Sequence, residues 1–115
     1  MRSLDQERAE FAWSQIPVGD EKFVDLAKGA PALIMANGLM QTLAFYQQKK
    51  HASIVTCICK WLAKLKVTDG ESFDAVIKSL QGGDSDRYMR ATDETLELLR
   101  WVRQFAAAKA AKTRG

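Results

Sequence analysis

No membrane-spanning helix of ~18 apolar residues is expected, since the longest apolar run, bracketed by Lys28 and Lys49-Lys50, carries Asn37 and Gln41 inside it. The N-terminus, Met-Arg-Ser-Leu-Asp-Gln-Glu, lacks the apolar core of a signal peptide. A cytoplasmic protein with no membrane contact is therefore expected. Cysteine is scarce too. Cys57 and Cys59 stand two apart, which on a helix points them to nearly opposite faces, so they neither bridge nor share a metal. They read as small buried hydrophobes. With His51 the sole histidine, a zinc site is not expected, and no other metal or cofactor is called for. Gly82-Gly83 lacks the Lys-Ser/Thr of a phosphate-binding loop. Asp84 and Asp86 follow that glycine pair directly and read as helix caps rather than as a metal-binding acidic pair. No motif places a nucleophile beside His51. No catalytic residue emerges, and a non-enzyme is expected.

What is present is helix. Apolar residues make up 47% of the 115 and charged residues 27%, a balance that excludes a disordered chain and is ordinary for one globular domain over 1–115. No segment alternates with period two, and the pattern predicts an all-α fold, a single compact bundle of about six helices. Ser3 and Gln6 form a capping box, followed by Leu4, Ala9, Ala12, Trp13 and Ile16 at helical spacing. Pro17-Val-Gly-Asp20 ends that helix. A short helix over 21–28 is expected to stop at Gly29, with Pro31 in the first turn of a third helix reaching about Lys50. A fourth, His51 to Lys66, carries the clearest stripe, Ile54, Ile58, Trp61, Leu62 and Leu65. Thr68 and Glu71 suggest a second capping box before Phe73, Val76, Ile77 and Leu80. The last helix begins near Asp84–Asp86, with Tyr88, Ala91, Thr92, Thr95, Leu98, Leu99, Val102 and Phe105 inward, and its alanine-rich tail from Ala106 is expected to fray.

Charge is segregated. From Leu26 to Thr68 there is no Asp or Glu, while Lys28, Lys49, Lys50, Lys60, Lys64 and Lys66 fall inside. Acidic residues gather at 5–25 and 69–97. One positive and one negative surface would result. Lysines on a helix face are most simply its solvated side; the functional alternative is contact with phosphates. Without aromatics clearly beside them, backbone contact rather than base stacking is the expected mode.

The span Pro31 to Tyr46 holds a local contradiction. Asn37-Gly38 between apolar runs is a hairpin signal, yet the flanking Leu, Met, Ala and Gln favour helix. A helix with a close backbone contact at Gly38 reconciles the two. Three blocks of the chain together resemble one family, the small α-helical subunit of type III-B CRISPR (Cmr) effector complexes. They are Gln6-Glu-Arg-Ala-Glu-Phe-Ala-Trp13; Pro31 and Ile34 with Asn37-Gly38-Leu39 and Gln41-Thr-Leu-Ala-Phe45; and Tyr88 to Leu96 leading to Leu99-Arg-Trp-Val-Arg-Gln-Phe-Ala106.

The resemblance implies a non-catalytic subunit that scaffolds an RNA-guided antiviral assembly and helps hold target RNA against the guide. Its implied partners are other Cmr subunits, the crRNA–target RNA duplex and stacked copies of itself. Arg8, Arg90 and Arg103 carry over as candidate RNA contacts, with pairing to Glu7, Glu94 or Glu97 as the alternative. Lys49, Lys50, Lys60 and Lys64 join them from the charge map. Asn37 and Gly38 carry over as structural, Gly38 for close packing and Asn37 through a hydrogen bond to a neighbouring backbone; Trp13 and Trp101, from their places in the apolar pattern of the first and last helices, are structural as well. A helical protein-interaction module, or the small subunit of a type III-A or type I complex, are the competing readings.

Overall fold

A computed structural model describes residues 2–17 and 19–114, with side chains as far as Ala111. Among the described residues six helices follow in order: α1 Leu4–Gln15, α2 Glu21–Asn37, α3 Leu39–Gln48, α4 Ala52–Lys64, α5 Phe73–Gly82 and α6 Ser85–Arg114. No strand occurs among the described residues. One buried cluster draws side chains from all six, from Ala12 of α1 through Phe23, Leu43, Trp61 and Val76 to Leu98, Leu99 and Val102 of α6. Both faces of α4 enter it. Val55, Cys57 and Cys59 are buried along with Ile54, Ile58, Trp61 and Leu62, so the helix lies across the centre of the bundle.

The helix starts follow local chemistry. Ser3 and Gln6 make the expected reciprocal box, the Gln6 amide donating to Ser3 Oγ at 3.1 Å and the Ser3 amide to Gln6 Oε1 at 2.8 Å. Asp20 accepts from the Phe23 amide at 3.0 Å and Asp84 from the Arg87 amide at 2.9 Å. The fifth helix departs from expectation. Its cap is Ser72, which accepts from the Ala75 amide, whereas the Thr68 hydroxyl donates to the Gly70 carbonyl inside the preceding loop. A serine directly before Phe73 is nearer the first free amides than a threonine four residues upstream. Of the expected stop after α1, Val18 lies outside the described residues.

The largest correction concerns α2 and α3. The helix expected to end at Gly29 continues through Gly29 and Pro31 to Asn37. Phe23, Ala27, Ala30 and Ile34 form one buried stripe at helical spacing across that glycine and proline. Continuity lets Phe23 and Ile34 enter the same core, a gain of roughly 1.5–3 kcal/mol per side chain against roughly 3 kcal/mol for an interior proline. The break falls instead at Gly38, which is neither hairpin nor helix interior. Its φ of 90° and ψ of 161° belong to a region open essentially to glycine alone. The Gly38 amide closes α2 on the Ile34 carbonyl at 2.8 Å, and the Gly38 carbonyl opens α3 by accepting from the Thr42 amide at 3.1 Å and hydroxyl at 2.9 Å.

The tail also differs from expectation. Instead of fraying from Ala106, α6 stays helical, with Ala106 and Ala110 buried. Lys109 Nζ donates to the Trp13 carbonyl at 2.7 Å and lies 4.2 Å from the centre of the Trp13 ring. That lysine satisfies a carbonyl left open at the end of α1, so the last turns of α6 clasp the first helix. The side chains from Lys112 onward lie outside the described residues.

Candidate nucleic-acid interface

Because α4 buries so much of its surface, few of its positions reach the outside: Ala52, Ser53, Thr56 and Lys64 are exposed, and Lys60 and Ala63 are half-buried. Lys60 and Lys64 are four apart and share a face. Lys49 and Lys50 stand at the α3–α4 junction, where they border a cleft with Lys22 and His51. The lysines thus occupy the two ends of one acid-free helix, about 18 Å from Ala52 to Lys64 along its axis. None of the four pairs with a carboxylate among the described residues. Lys49 Nζ rests 5.8 Å from the centre of the half-exposed Phe45 ring. Asp20 borders the junction cleft, its carboxylate occupied in capping α2. Near Lys64 the neighbouring acid is Glu10 of α1. Arg2 binds that carboxylate at 2.8 Å and, with a smaller contribution from Lys64, holds its pKa below the usual range.

The three arginines from the motif blocks separate. Arg8 forms a two-pronged pair with Glu94, Nε to Oε1 at 3.0 Å and Nη2 to Oε2 at 2.7 Å, and its third nitrogen, Nη1, reaches Asp5 at 3.0 Å. Its side chain is 14% exposed and that of Glu94 12%. Bonding to Glu94 raises the Arg8 pKa further above its ordinary value, so the guanidinium stays charged. The Trp61 indole also donates to Glu94, at 3.4 Å, tying α1, α4 and α6 together. Of the two roles open to Arg8, the structure forms the intramolecular one. Arg90 and Arg103 are exposed on α6 and have no ion-pair partner among the described residues. Around them, Asp86, Asp93, Glu97 and Arg100 mix the signs of charge, unlike the face of α4.

The structural candidates meet across the motif blocks. Tyr88 of α6 lies beneath the α2–α3 corner, its hydroxyl accepting from the Met40 amide at 3.1 Å. A Cβ at Gly38 would stand 3.3 Å from that oxygen. Gly38 has no side chain to cap α3, and Tyr88 serves from another helix. Asn37 is exposed, and no hydrogen bond joins its side chain to another described residue, which differs from the backbone contact expected of it. Trp13 is 50% exposed and meets Phe105 edge-on at 5.2 Å. Trp101 packs on the same phenyl ring at 5.6 Å and donates to Asp5 at 3.4 Å. Sequence reasoning missed Tyr88 as a cap and Lys109 as an anchor, since each acts on backbone far away in the chain.

Burial pushes the thiols of Cys57 and Cys59 up to about 12, so both remain protonated and inert at neutral pH. No cluster of three or more metal-ligating side chains occurs among the described residues. No described helix is long and apolar enough to cross a membrane.

Fold and surface define the class, a small all-α protein that presents an acid-free, lysine-bearing helix face. Residues 4–109 match the family model described as CRISPR-associated protein (Cas_Cmr5), and the chain belongs to that family, the small subunits of Cmr-type CRISPR complexes. A solved structure shares the fold: the crystal structure of a CRISPR-associated Cmr5 family protein from Thermus thermophilus. It superposes with a TM-score of 0.77 at 23% identity, over 93% of this chain and 97% of that one.

Proposed function

We propose that this chain is a non-catalytic scaffold subunit of a type III-B effector complex, which helps position target RNA through the phosphates of its backbone. The observation that carries the reading is the outward side of α4 with its flanking turns, where Lys49, Lys50, Lys60 and Lys64 stand within an acid-free span of sequence. Each ammonium that neutralises a phosphate releases a condensed counterion, giving affinity without sequence readout. Arg90 and Arg103 are secondary candidates on α6, and Arg8 is assigned to holding helices together. Exposed Met35 and half-exposed Phe45 supply apolar contact for neighbouring subunits or for head-to-tail copies of the chain. The shared buried cluster supports reading 1–115 as one domain, and a complex of this kind works in the cytoplasm.

The test replaces Lys49, Lys50, Lys60 and Lys64 by Ala in the assembled complex and measures target-RNA binding across salt concentrations. The plot of log K against log salt should flatten by roughly 0.7 for each phosphate that no longer meets an ammonium. Unchanged affinity and slope would reject the RNA face. Crosslinking to 4-thiouridine-labelled target RNA separates it from a pure protein-docking role, which predicts no adduct on this chain.

A further inference from the structure

Helices α3 and α4 end in the same way. After α3, the Lys50 amide bonds the Gln47 carbonyl at 3.1 Å and the His51 amide reaches back to the Tyr46 carbonyl at 2.9 Å. After α4, the Lys66 amide bonds the Ala63 carbonyl at 3.0 Å and the Val67 amide the Leu62 carbonyl at 2.9 Å. Both are Schellman closures, whose penultimate position takes a left-handed backbone and is usually glycine. Here it is lysine twice. Lys50 has φ 61° and Lys66 φ 60°, and they are the non-glycine residues with positive φ among the described residues. Lysine is strained in this conformation and glycine is not.

No ion pair among the described residues accounts for that choice. Both lysines are exposed, and neither pairs with a carboxylate among the described residues. They stand beyond opposite ends of α4, a helix of 13 residues and hence about 20 Å long. One phosphate group cannot engage both, whereas an extended polyanion can. Lys60 and Lys64 lie between them in the chain.

We infer that Lys50 and Lys66 are phosphate-contact residues for single-stranded RNA, held in strained backbone at the two ends of α4 because the charge is needed there. Lys66 is thereby added to the interface. The inference rests on the RNA reading of the α4 face. It also carries a consequence of its own: glycine at these positions stabilises the protein while weakening its hold on RNA.

The experiment compares Lys50→Gly, Lys66→Gly and the double variant with Lys60→Ala/Lys64→Ala. Thermal unfolding of the full chain is followed by circular dichroism, and target-RNA binding by the assembled complex is titrated across salt concentrations. Each glycine should raise Tm by about 3 °C, the relieved strain outweighing the entropy glycine adds to the unfolded chain. The double variant should flatten the salt slope by about 1.4, two phosphates at roughly 0.7 each. A lower Tm would show that lysine suits these helix ends through the helix dipole, and would overturn the inference. A raised Tm with RNA binding intact, while Lys60→Ala/Lys64→Ala weakens it, overturns the inference and leaves the RNA reading standing. No change in binding for any variant removes both. Loss of other subunits from the complex with the slope unchanged would assign the two lysines to a protein partner instead, again overturning it.

Discussion

Gly29 and Gly38 should respond to alanine with opposite signs. Gly29 lies inside α2 with ordinary φ, and an added Cβ would meet nothing within 4 Å. Gly29→Ala is expected to stabilise the fold by about 0.5–1 kcal/mol in urea denaturation, as in any exposed helix interior. A decrease would mean that the helix stops there after all. Gly38→Ala meets a φ of 90° and the Tyr88 hydroxyl at 3.3 Å, and should cost about 2 kcal/mol or more. Tyr88→Phe isolates the capping bond and should cost about 1 kcal/mol. The buried thiols make a different prediction. A thiol of pKa 9.0 in the unfolded chain and about 12 in the folded one is held more tightly by the native state. Unfolding between those values therefore releases protons, and stability falls as pH rises from about 9 to 12, by up to about 1.4 kcal/mol per pH unit for each thiol. Below pH 9 the two thiols contribute no slope. Replacing both cysteines by alanine should flatten the alkaline limb of the stability–pH curve, and an unchanged limb would refute the assignment.

Between elements, the decisive contacts join residues far apart in the chain. Arg8 and Glu94 clasp α1 to α6, with the Trp61 indole on the same carboxylate. Removing one partner of a mostly buried pair strands the other, so Arg8→Ala should destabilise by about 2–4 kcal/mol. RNA binding by complexes that still assemble should keep its salt slope; a flatter slope would return Arg8 to the interface. At the other end of α1, Lys109 holds the Trp13 carbonyl and covers its ring. Truncation after Phe105 removes that anchor together with buried Ala106 and Ala110, and should lower Tm and shift Trp13 fluorescence. A tail that frayed could be removed without either effect. Element boundaries were legible where a cap was local, as at Ser3 and Asp84. They were illegible at Gly29 and Pro31, where tertiary burial of Ala30 and Ile34 outweighs the local preference to stop.

For the molecule as a whole, the motif blocks prove to be seams. Tyr88 of the third block sits beneath Gly38 of the second, and Arg8 of the first pairs with Glu94 of the third. A sequence signature made of such contacts identifies the fold, while the lysines proposed to meet RNA stand outside all three blocks. The two sets of residues should accordingly separate in experiment. Variants at Arg8, Gly38 and Tyr88 lower Tm and leave the salt slope alone, whereas variants at Lys60 and Lys64 flatten the slope with Tm nearly unchanged. A mutant scan in which both readouts move together at every position would contradict this division.

Sequence alone determined that the protein is all-helical, with about six helices of which the second and third were divided at the wrong glycine, and that positive charge gathers in its middle. Periodicity, caps and composition act within a few residues, and one chain displays them directly. Only the tertiary structure decided that α2 runs through a proline, that Gly38 is a corner capped from another helix, and that Arg8 is already engaged. Each of those outcomes depends on a partner tens of residues away, or on burial that exists only once the helices have packed.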